Sequence, residues 1–120
     1  MAEIKRAKLV LILNSRKNLA GVDLGGLDLH GLDFSGANLR GVNLRGTNLE
    51  GCNFQGADLR GADLSYSYMI GANLTGANLD DTLMLNTKLR GVCLGEPDFL
   101  REDYAFEFDE SFFIEEAAVA

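Results

Sequence analysis

The sequence predicts an all-β solenoid, in which the chain winds into stacked coils, and three observations lead to this prediction. A five-residue pattern repeats without insertion from residue 17 to residue 96, which gives sixteen consecutive blocks. The central residue of every block is Leu, Phe or Met, and Asp or Asn precedes it in most blocks. Gly closes twelve of the sixteen blocks. Self-similarity at a fixed period is the typical mark of a repeat architecture.

A period of five residues excludes the two common regular structures. In an α-helix, five residues advance by about 500°, so the central residues would spread around all sides of the helix. In a straight strand, successive central residues would alternate between the two faces because five is an odd number. The remaining solution is a short extended step in each block, followed by a bend. Gly at the end of a block tolerates the backbone angles that such a bend requires.

The geometry of one block predicts which side chains meet. The central residue and the residue two positions before it point the same way, and the Asp or Asn between them points the other way. If all corners bend in the same direction, the central residues face a common axis and form a narrow apolar core. The Asp and Asn side chains then form a polar ladder on the outside of the coil.

Blocks such as ANLRG (37–41) and ADLRG (57–61) resemble the pentapeptide repeat family, whose motif is A(D/N)LXX. The resemblance implies a right-handed quadrilateral β-helix with four blocks in each coil. Four coils would then span residues 17–36, 37–56, 57–76 and 77–96, and the blocks PDFLR and EDYAF (97–106) could begin a fifth coil. Stacking with four blocks per coil places Cys52 inside and Cys93 outside, so the two thiols are not expected to bond.

Capping segments are expected at both ends, because a coil stack exposes apolar core and unpaired backbone there. Residues 1–16 are predicted to form an N-terminal cap, as a short helix or a strand, using Ile4, Leu9, Val10 and Ile12. The apolar run from Leu9 is too short for a signal peptide, so this start is expected to belong to the fold. Residues 97–120 form an acidic C-terminal cap or tail, with four candidate cap or dimer contacts: Phe106, Phe108, Phe112 and Phe113.

Charge is distributed unevenly along the chain, whose formal net charge is −7. Residues 1–16 carry +3, residues 17–95 carry −2 and residues 96–120 carry −8. Such a tail disfavours attraction to nucleic acid or to an anionic membrane. No apolar run reaches the roughly 18 residues of a membrane span. Two cysteines without metal-type spacing are typical of a reducing compartment, so a cytoplasmic location is expected.

No catalytic, cofactor-binding or metal-binding site is predicted. The only histidine, His30, falls at an exposed position near a corner. Asp23, Asp28 and Asp33 are spaced by five residues, which places them on successive sides of the coil, so they cannot converge on one ion. No nucleophile, base and orienting group occur together. The sequence therefore predicts a protein that is not an enzyme and needs no cofactor.

The repeat is broken in two stretches, Ser65–Ile70 and Thr82–Asn86, and such breaks are where a functional site is expected. Column counting places Leu83 below Asp63, Leu85 below Ser65 and Lys88 below Tyr68. Five apolar side chains should then cluster on two adjacent sides: Tyr66, Tyr68, Ile70, Leu83 and Leu85. An exposed apolar patch usually has a partner. Either the chain's own tail covers this patch, or the patch or the tail pairs two chains or holds another protein.

The function predicted from these features is a non-catalytic protein-binding or scaffold module. Its partner would be another protein or a second copy of the chain, with no direct nucleic-acid or membrane contact. The resemblance implies an alternative, since some family members mimic DNA and inhibit or protect a type II topoisomerase such as DNA gyrase. Duplex DNA carries about one charge per 1.7 Å, so four coils should then carry about 11 negative charges. The net charge of −2 over residues 17–95 argues against this alternative.

Overall fold

A computed structural model describes residues 5–95 and residues 107–108. One helix, α1, spans Arg6–Leu13, and two short strands, β1 and β2, span Leu83–Met84 and Glu107–Phe108. Between α1 and β1, the regular structure consists of isolated parallel bridges. Because each block extends for only about three residues before the chain bends, one residue per block is available for bridging. None of the helices in the described part of the chain is long and apolar enough to cross a membrane.

Every isolated bridge joins two residues that are 20 positions apart, such as Asn18 to Asn38 and Asn38 to Asp58. The bridges form four columns, so one coil contains four blocks and successive coils lie on top of one another. We name the four sides of the coil by the central residues that stack along them. Side 1 contains Leu19, Leu39, Leu59 and Leu79; side 2 contains Leu24, Leu44, Leu64 and Met84; side 3 contains Leu29, Leu49, Met69 and Leu89; side 4 contains Phe34, Phe54, Leu74 and Leu94.

Backbone hydrogen bonds along the axis hold the coils together. In the block around Leu49, the Leu49 amide donates to the carbonyl of Tyr68 at 2.7 Å, and the Gly51 amide donates to Ile70 at 2.9 Å. The Asn48 amide donates upward to the carbonyl of Leu27 at 3.0 Å. The same three bonds recur in most blocks of the first three coils. The sheet-like pairing of the fold therefore runs along the axis, although named strands are few.

The corner that ends each block requires a left-handed backbone. Gly61, for example, closes its block with a φ of +70°. Three corners carry a side chain in the same conformation: Tyr66 with φ +64°, Asp81 with φ +59° and Asn86 with φ +54°. A residue other than Gly is strained there, by about 1–2 kcal/mol. All three substituted corners lie in the third and fourth coils, so the repeat degenerates toward the C-terminal end.

The core is a continuous stack of the central side chains. All of them are fully or almost fully buried except Leu94, which is partly buried at the end of the last coil. Phe34 and Phe54 stack with ring centroids 4.9 Å apart and rings within 5° of parallel. Cys52 lies inside and Cys93 lies outside, and both are free thiols, as predicted. Burial raises the pKa of Cys52 to about 11.

A column of hydroxyl groups inside side 3 was not predicted. Thr47, Ser67 and Thr87 occupy the first position of their blocks and are at most 1% exposed. The Thr47 hydroxyl donates to the carbonyl of Leu44 at 2.7 Å, and the Thr87 hydroxyl donates to that of Leu64 at 3.0 Å. Each hydroxyl thus donates to the carbonyl of a central residue on side 2, which makes its burial tolerable. A small polar residue at this position therefore supplies a hydrogen-bond donor to a backbone carbonyl from inside the core.

The helix α1 packs over the first coil with Leu9 and Leu13, which are 0% and 5% exposed. Of the residues expected to cover this end, Leu9 is buried, Val10 and Ile12 are half-buried, and Ile4 lies outside the described residues. The buried Leu13 was missed. Arg6 fastens the helix to side 3, because its guanidinium donates to the carbonyls of Asp28 at 3.1 Å and His30 at 2.9 Å.

The chain returns below the fourth coil with a register that the sequence reasoning did not predict. Continuation of the blocks through 97–106 would place Asp103 below Leu83. Instead, β2 pairs in parallel with β1, with Glu107 beside Leu83 and Phe108 beside Met84. The paired positions are therefore four further apart in the sequence than in the coils above. The blocks PDFLR and EDYAF (97–106) lie outside the described residues. We call the sequence spacing between Leu83 and Glu107 the long offset. We call the spacing of 20 residues between the coils above it the regular offset.

Candidate protein-interaction surface

The two broken stretches lie next to each other on sides 2 and 3. Bridges join Asp63 to Leu83 and Tyr68 to Lys88, which are the column positions that counting predicts. The Leu85 amide lies 3.2 Å from the hydroxyl of Ser65, its predicted neighbour. Tyr66 is also adjacent, since its amide donates to the carbonyl of Leu85 at 2.8 Å. The third and fourth coils thus bring both breaks into one region.

All five predicted side chains of this region are exposed to solvent. We call them the apolar surface, and their exposed fractions are 50% for Tyr66, 51% for Tyr68, 37% for Ile70, 41% for Leu83 and 45% for Leu85. Among the described residues, one other large hydrophobic side chain is exposed, Leu11 on α1 at 69%. The exposed apolar groups of residues 5–95 are therefore concentrated at one place. Leu11 is a second exposed position, which the sequence reasoning did not identify.

Two residues of the apolar surface, Tyr68 and Leu83, lack a hydrogen bond that the Asp and Asn side chains of the polar ladder make. In twelve blocks, the Asp or Asn side chain accepts a hydrogen bond from the amide two residues later, as Asn48 does from Glu50 at 3.1 Å. This local bond stabilises the turn at the corner. The four blocks without it carry Tyr68, Leu83, Lys88 and Cys93 at the ladder position. Leu83 and Tyr68 therefore replace a turn-forming acceptor with an exposed apolar group.

Arg45 connects the apolar surface to the polar ladder above it. Its guanidinium carbon lies 5.0 Å from the centre of the Tyr66 ring, within the range of a cation–π contact. The same guanidinium donates to the carboxylate of Asp63 at 3.0 Å. Partial burial works to raise the pKa of Asp63, but hydrogen bonds from the Ser65 amide and from Arg45 outweigh it and lower the pKa. Arg45 thereby holds the Tyr66 ring beside an ionised carboxylate.

Basic side chains border the lower edge of the surface. Lys88 and Arg90 lie on side 3 of the fourth coil, below Tyr68 and Ile70, and both are exposed. An apolar centre bordered by cationic groups suits a partner that has apolar side chains and nearby acidic groups. Of the predicted tail contacts, Phe106, Phe112 and Phe113 lie outside the described residues, and Phe108 is described only through its backbone pairing with Met84.

The single histidine of the chain forms a pair with a neighbouring carboxylate on side 3. His30 lies beside Asp28 at 2.7 Å, and the hydrogen bond with His30 lowers the pKa of the Asp28 carboxyl. This pair belongs to a shallow depression on side 3 that is also lined by Asn48 and Glu50. Within the part of the chain that the structure describes, no three acidic, histidine or cysteine residues are grouped so that they could hold a metal ion.

The comparisons with known proteins agree with the stacked coils. A family model described as Pentapeptide repeats (8 copies) matches residues 18–56 and again residues 57–95. No curated protein sequence matches the chain. Several solved structures do, including a pentapeptide repeat protein from Nostoc, which is 28% identical, has a TM-score of 0.78 and is matched over 88% of this chain and 87% of its own.

Two further solved structures are similar. A pentapeptide repeat protein from the thylakoid lumen of Arabidopsis thaliana is 30% identical with a TM-score of 0.65, over 89% of this chain and 79% of its own. HetL from Nostoc, described as involved in the regulation of heterocyst differentiation, is 28% identical with a TM-score of 0.51, over 75% of this chain and 47% of its own. The matched blocks, the regular period of the bridges and these neighbours together show that the chain belongs to the pentapeptide repeat family.

Proposed function

We propose that this protein is a non-catalytic binding or scaffold module that holds a protein partner on the apolar surface. The observation that carries the proposal is the concentration of exposed apolar groups. Five of the six exposed large hydrophobic side chains of the described residues are Tyr66, Tyr68, Ile70, Leu83 and Leu85. Patches of this kind on otherwise polar proteins mark interaction sites.

The residues of the apolar surface reduce the stability of the fold, and this loss of stability supports the same proposal. Tyr66 adopts a left-handed corner that Gly occupies in most other blocks, and Leu83 forgoes the turn hydrogen bond of the ladder. Each change destabilises the coil locally, by about 1 kcal/mol for the strain and about 1 kcal/mol for the bond. Departures from a locally consistent pattern are expected where function requires them.

Aromatic residues fit this role. Tyr side chains are enriched at the centres of interfaces because they combine a large apolar area with a hydroxyl group. Tyr66 is further held in place by its contact with Arg45. A side chain that is already fixed loses little conformational freedom when a partner binds. Tyr66 is therefore the residue of this surface that we expect to contribute most to affinity.

The proposal includes the finer expectations from the sequence. Right-handed winding with a four-sided cross-section is part of the proposal, and membership of the pentapeptide repeat family supports it. The lack of catalytic activity is likewise part of the proposal. A cytoplasmic site of action is part of the proposal. The DNA-mimic alternative is not favoured, because the coil region carries a net charge of only −2 over residues 17–95. Arg40 and Arg60 also stack on one side of it.

The test is a capture experiment with a matched control. The variant Leu83→Asp/Leu85→Asp places two negative charges on the apolar surface, and the control Ala20→Asp/Gln55→Asp places two on exposed positions of sides 1 and 4. The partners recovered from native lysate by wild type and control are identified and their affinities are measured with purified components. We expect the Leu variant to lose them and the control to keep them. Sedimentation velocity on the same proteins tests whether the partner is a second copy.

Equal capture by the wild type and the Leu variant would refute the proposal. Equal loss in both variants would also refute it, because the binding would then depend on overall charge. Circular dichroism of each variant establishes that the coil is intact, since a partly unfolded variant would lose every surface at once. A supercoiling assay with DNA gyrase separates the alternative, which predicts inhibition or protection by the purified protein.

A further inference from the structure

Along side 3, the exposed side chains change character in order from the second coil to the fourth. The second coil presents an acidic group, the third coil presents two apolar groups and the fourth coil presents two basic groups. All of these side chains are exposed, and they are Glu50, then Tyr68 and Ile70, then Lys88 and Arg90. The apolar centre of this side therefore lies between groups of opposite charge.

The backbone aligns three of these residues in one straight column. The carbonyl of Ile70 accepts a hydrogen bond from the Gly51 amide at 2.9 Å, and Glu50 directly precedes Gly51, so Ile70 lies below Glu50. The carbonyl of Arg90 accepts one from the Gly71 amide at 3.0 Å, which places Arg90 below Ile70 in the same way. Successive coils are about 4.8 Å apart, as hydrogen-bonded strands are. Glu50 and Arg90 therefore lie at equal distances from Ile70 along the axis, one above it and one below it.

This order of side chains makes side 3 complementary to itself. Consider a two-fold axis that passes through the third coil, in the plane of the side and perpendicular to the coil axis. A second copy related by this axis runs in the opposite direction, so that its fourth coil faces the second coil of the first copy. Glu50 of each copy then faces Arg90 of the other, while Tyr68 and Ile70 meet the same residues of the other copy. Such an isologous contact has an apolar centre and a charged rim.

The local shape of side 3 allows this approach. The corner that ends side 3 is Gly in every coil, so no side chain projects from this edge; the four residues are Gly31, Gly51, Gly71 and Gly91. Two packed sheets lie about 10 Å apart, a gap that a Glu and an Arg side chain reaching toward each other can span. Glu50 and Asn48 also line the shallow depression on this side, which leaves room for the guanidinium of Arg90 of the second copy.

The outward positions of the other three sides do not have this order. On side 1, the same symmetry would place Arg60 against its own copy, with no apolar group at the centre. Side 4 presents the uncharged Gln55 and Thr75 in its second and third coils. On side 2, the apolar Leu85 lies in the fourth coil, not between opposite charges. Complementarity of a side to itself is what a two-fold contact requires, and binding of an unrelated protein would not require it.

We propose that side 3 is a self-association surface, through which two copies of the chain pair in antiparallel orientation about a two-fold axis at Tyr68 and Ile70. The inference rests on the proposed function, because it names the partner of these two residues of the apolar surface. Leu83 and Leu85 lie on side 2 and stay accessible in the dimer. Three coils of one side offer less area than a permanent interface buries, so we expect a reversible dimer with a dissociation constant on the order of 100 µM.

Charge reversal tests the pairing across the axis. Sedimentation velocity of the full chain, from about 10 µM to about 1 mM, measures the dimer fraction on both sides of the expected dissociation constant. Glu50→Arg and Arg90→Glu each place like charges at both ends of the contact, so each variant alone should dimerise at least about tenfold more weakly than the wild type. In an equimolar mixture of the two variants, both ends are complementary again. The mixture should therefore form a heterodimer with an affinity within about threefold of the wild type.

Matched controls separate this pairing from a general effect of charge. Asp80→Arg and Arg40→Glu change the net charge by the same amounts at exposed positions of side 1, and both should dimerise as the wild type does. The double variant Glu50→Arg/Arg90→Glu restores complementarity within one chain and should also dimerise. Circular dichroism establishes that the coil is intact in every variant.

Four results would overturn the inference: a wild type that is monomeric at about 1 mM, single variants that dimerise as well as the wild type, a mixture that forms no heterodimer, or an assembly that grows beyond two copies. The variant Leu83→Asp/Leu85→Asp separates these failures from failure of the proposed function. A monomeric wild type that still captures another protein through Leu83 and Leu85 would refute the dimer alone. An intact dimer together with equal capture by the wild type and this variant would refute capture on side 2 alone.

Discussion

The corner column Gly21, Gly41, Gly61 and Asp81 allows backbone strain to be measured separately from steric clash. Gly61 has a φ of +70°, and a Cβ atom added there would lie 4.0 Å from its nearest neighbour, the Gly41 nitrogen. The substitution Gly61→Ala therefore meets no clash, and its cost is conformational. The left-handed backbone costs an L-residue about 1–2 kcal/mol, and the stiffer unfolded chain offsets about 0.4–1 kcal/mol. We expect a net destabilisation of about 1 kcal/mol.

The reverse substitution can be made one coil below in the same column, where the corner residue is Asp81. Asp81 has a φ of +59°, so Asp81→Gly relieves strain but increases the freedom of the unfolded chain. Asp adopts this conformation more readily than most residues, so less strain is relieved. The two contributions nearly cancel, and we expect the free energy of unfolding to stay within about 0.5 kcal/mol of the wild type.

Urea unfolding followed by circular dichroism measures both variants at constant m-value. The control is Gln55→Ala, because Gln55 is exposed and its backbone has no positive φ. This control should change the free energy of unfolding by less than about 0.5 kcal/mol. If Gly61→Ala were as stable as the wild type, the corner would not require a left-handed residue, and the account of the Gly positions given above would be wrong.

Three further predictions concern the core, the thiols and the carboxylates. Phe54→Ala should cost about 3–5 kcal/mol of unfolding free energy in urea titrations, because Phe54 is fully buried against Phe34, and a loss below about 1 kcal/mol would contradict this packing. Ellman's reagent should modify one thiol, Cys93, quickly in the folded protein, because Cys93 is exposed and a hydrogen bond with Thr75 lowers its pKa. Cys52 should react slowly, because burial raises its pKa to about 11. The variant Cys93→Ser should therefore lose the fast phase of the reaction. The lowered pKa of Asp63 stabilises the fold at pH values above the unfolded-state pKa of about 3.9, and this stabilisation is lost as the pH falls through the pKa of the folded state. The urea concentration at the unfolding midpoint should therefore decrease below about pH 4. This decrease should be smaller in the variant Asp63→Asn.

Column positions could be predicted by counting once the family resemblance had supplied four blocks per coil, because an uninterrupted period then determines which residues stack. The bridges of Leu83 and Lys88, the inward Cys52 and the outward Cys93 all follow from counting whole coils of four blocks. The exposure of Tyr68 and Leu83 follows from the same argument, since the ladder position points outward whatever residue fills it. The function of that surface does not follow, because the chemistry of a partner is not encoded in the period.

Features that depend on contacts outside the repeat could not be predicted. The form of the N-terminal cap was left open between helix and strand, since α1 has no side-chain N-cap and no acidic residue in its first turn. The helix is instead stabilised by burial of Leu9 and Leu13 and by the bonds of Arg6. The long offset of β2 was likewise missed, because Pro97 and the residues after it resemble another regular block.

The bridge columns also determine how this chain can change in length. Every isolated bridge between coils joins positions 20 apart, so removal of residues 37–56 would bring Asn18 and Asp58 into the relation that Asn18 and Asn38 have now. A single inserted block has a different effect. It would turn everything downstream by one side, so that Leu83 and Leu85 would no longer lie on side 2. Insertion or removal of a whole coil therefore changes the length of the protein without disturbing a binding face. Insertion of a single block instead rotates the residues downstream of it to another side.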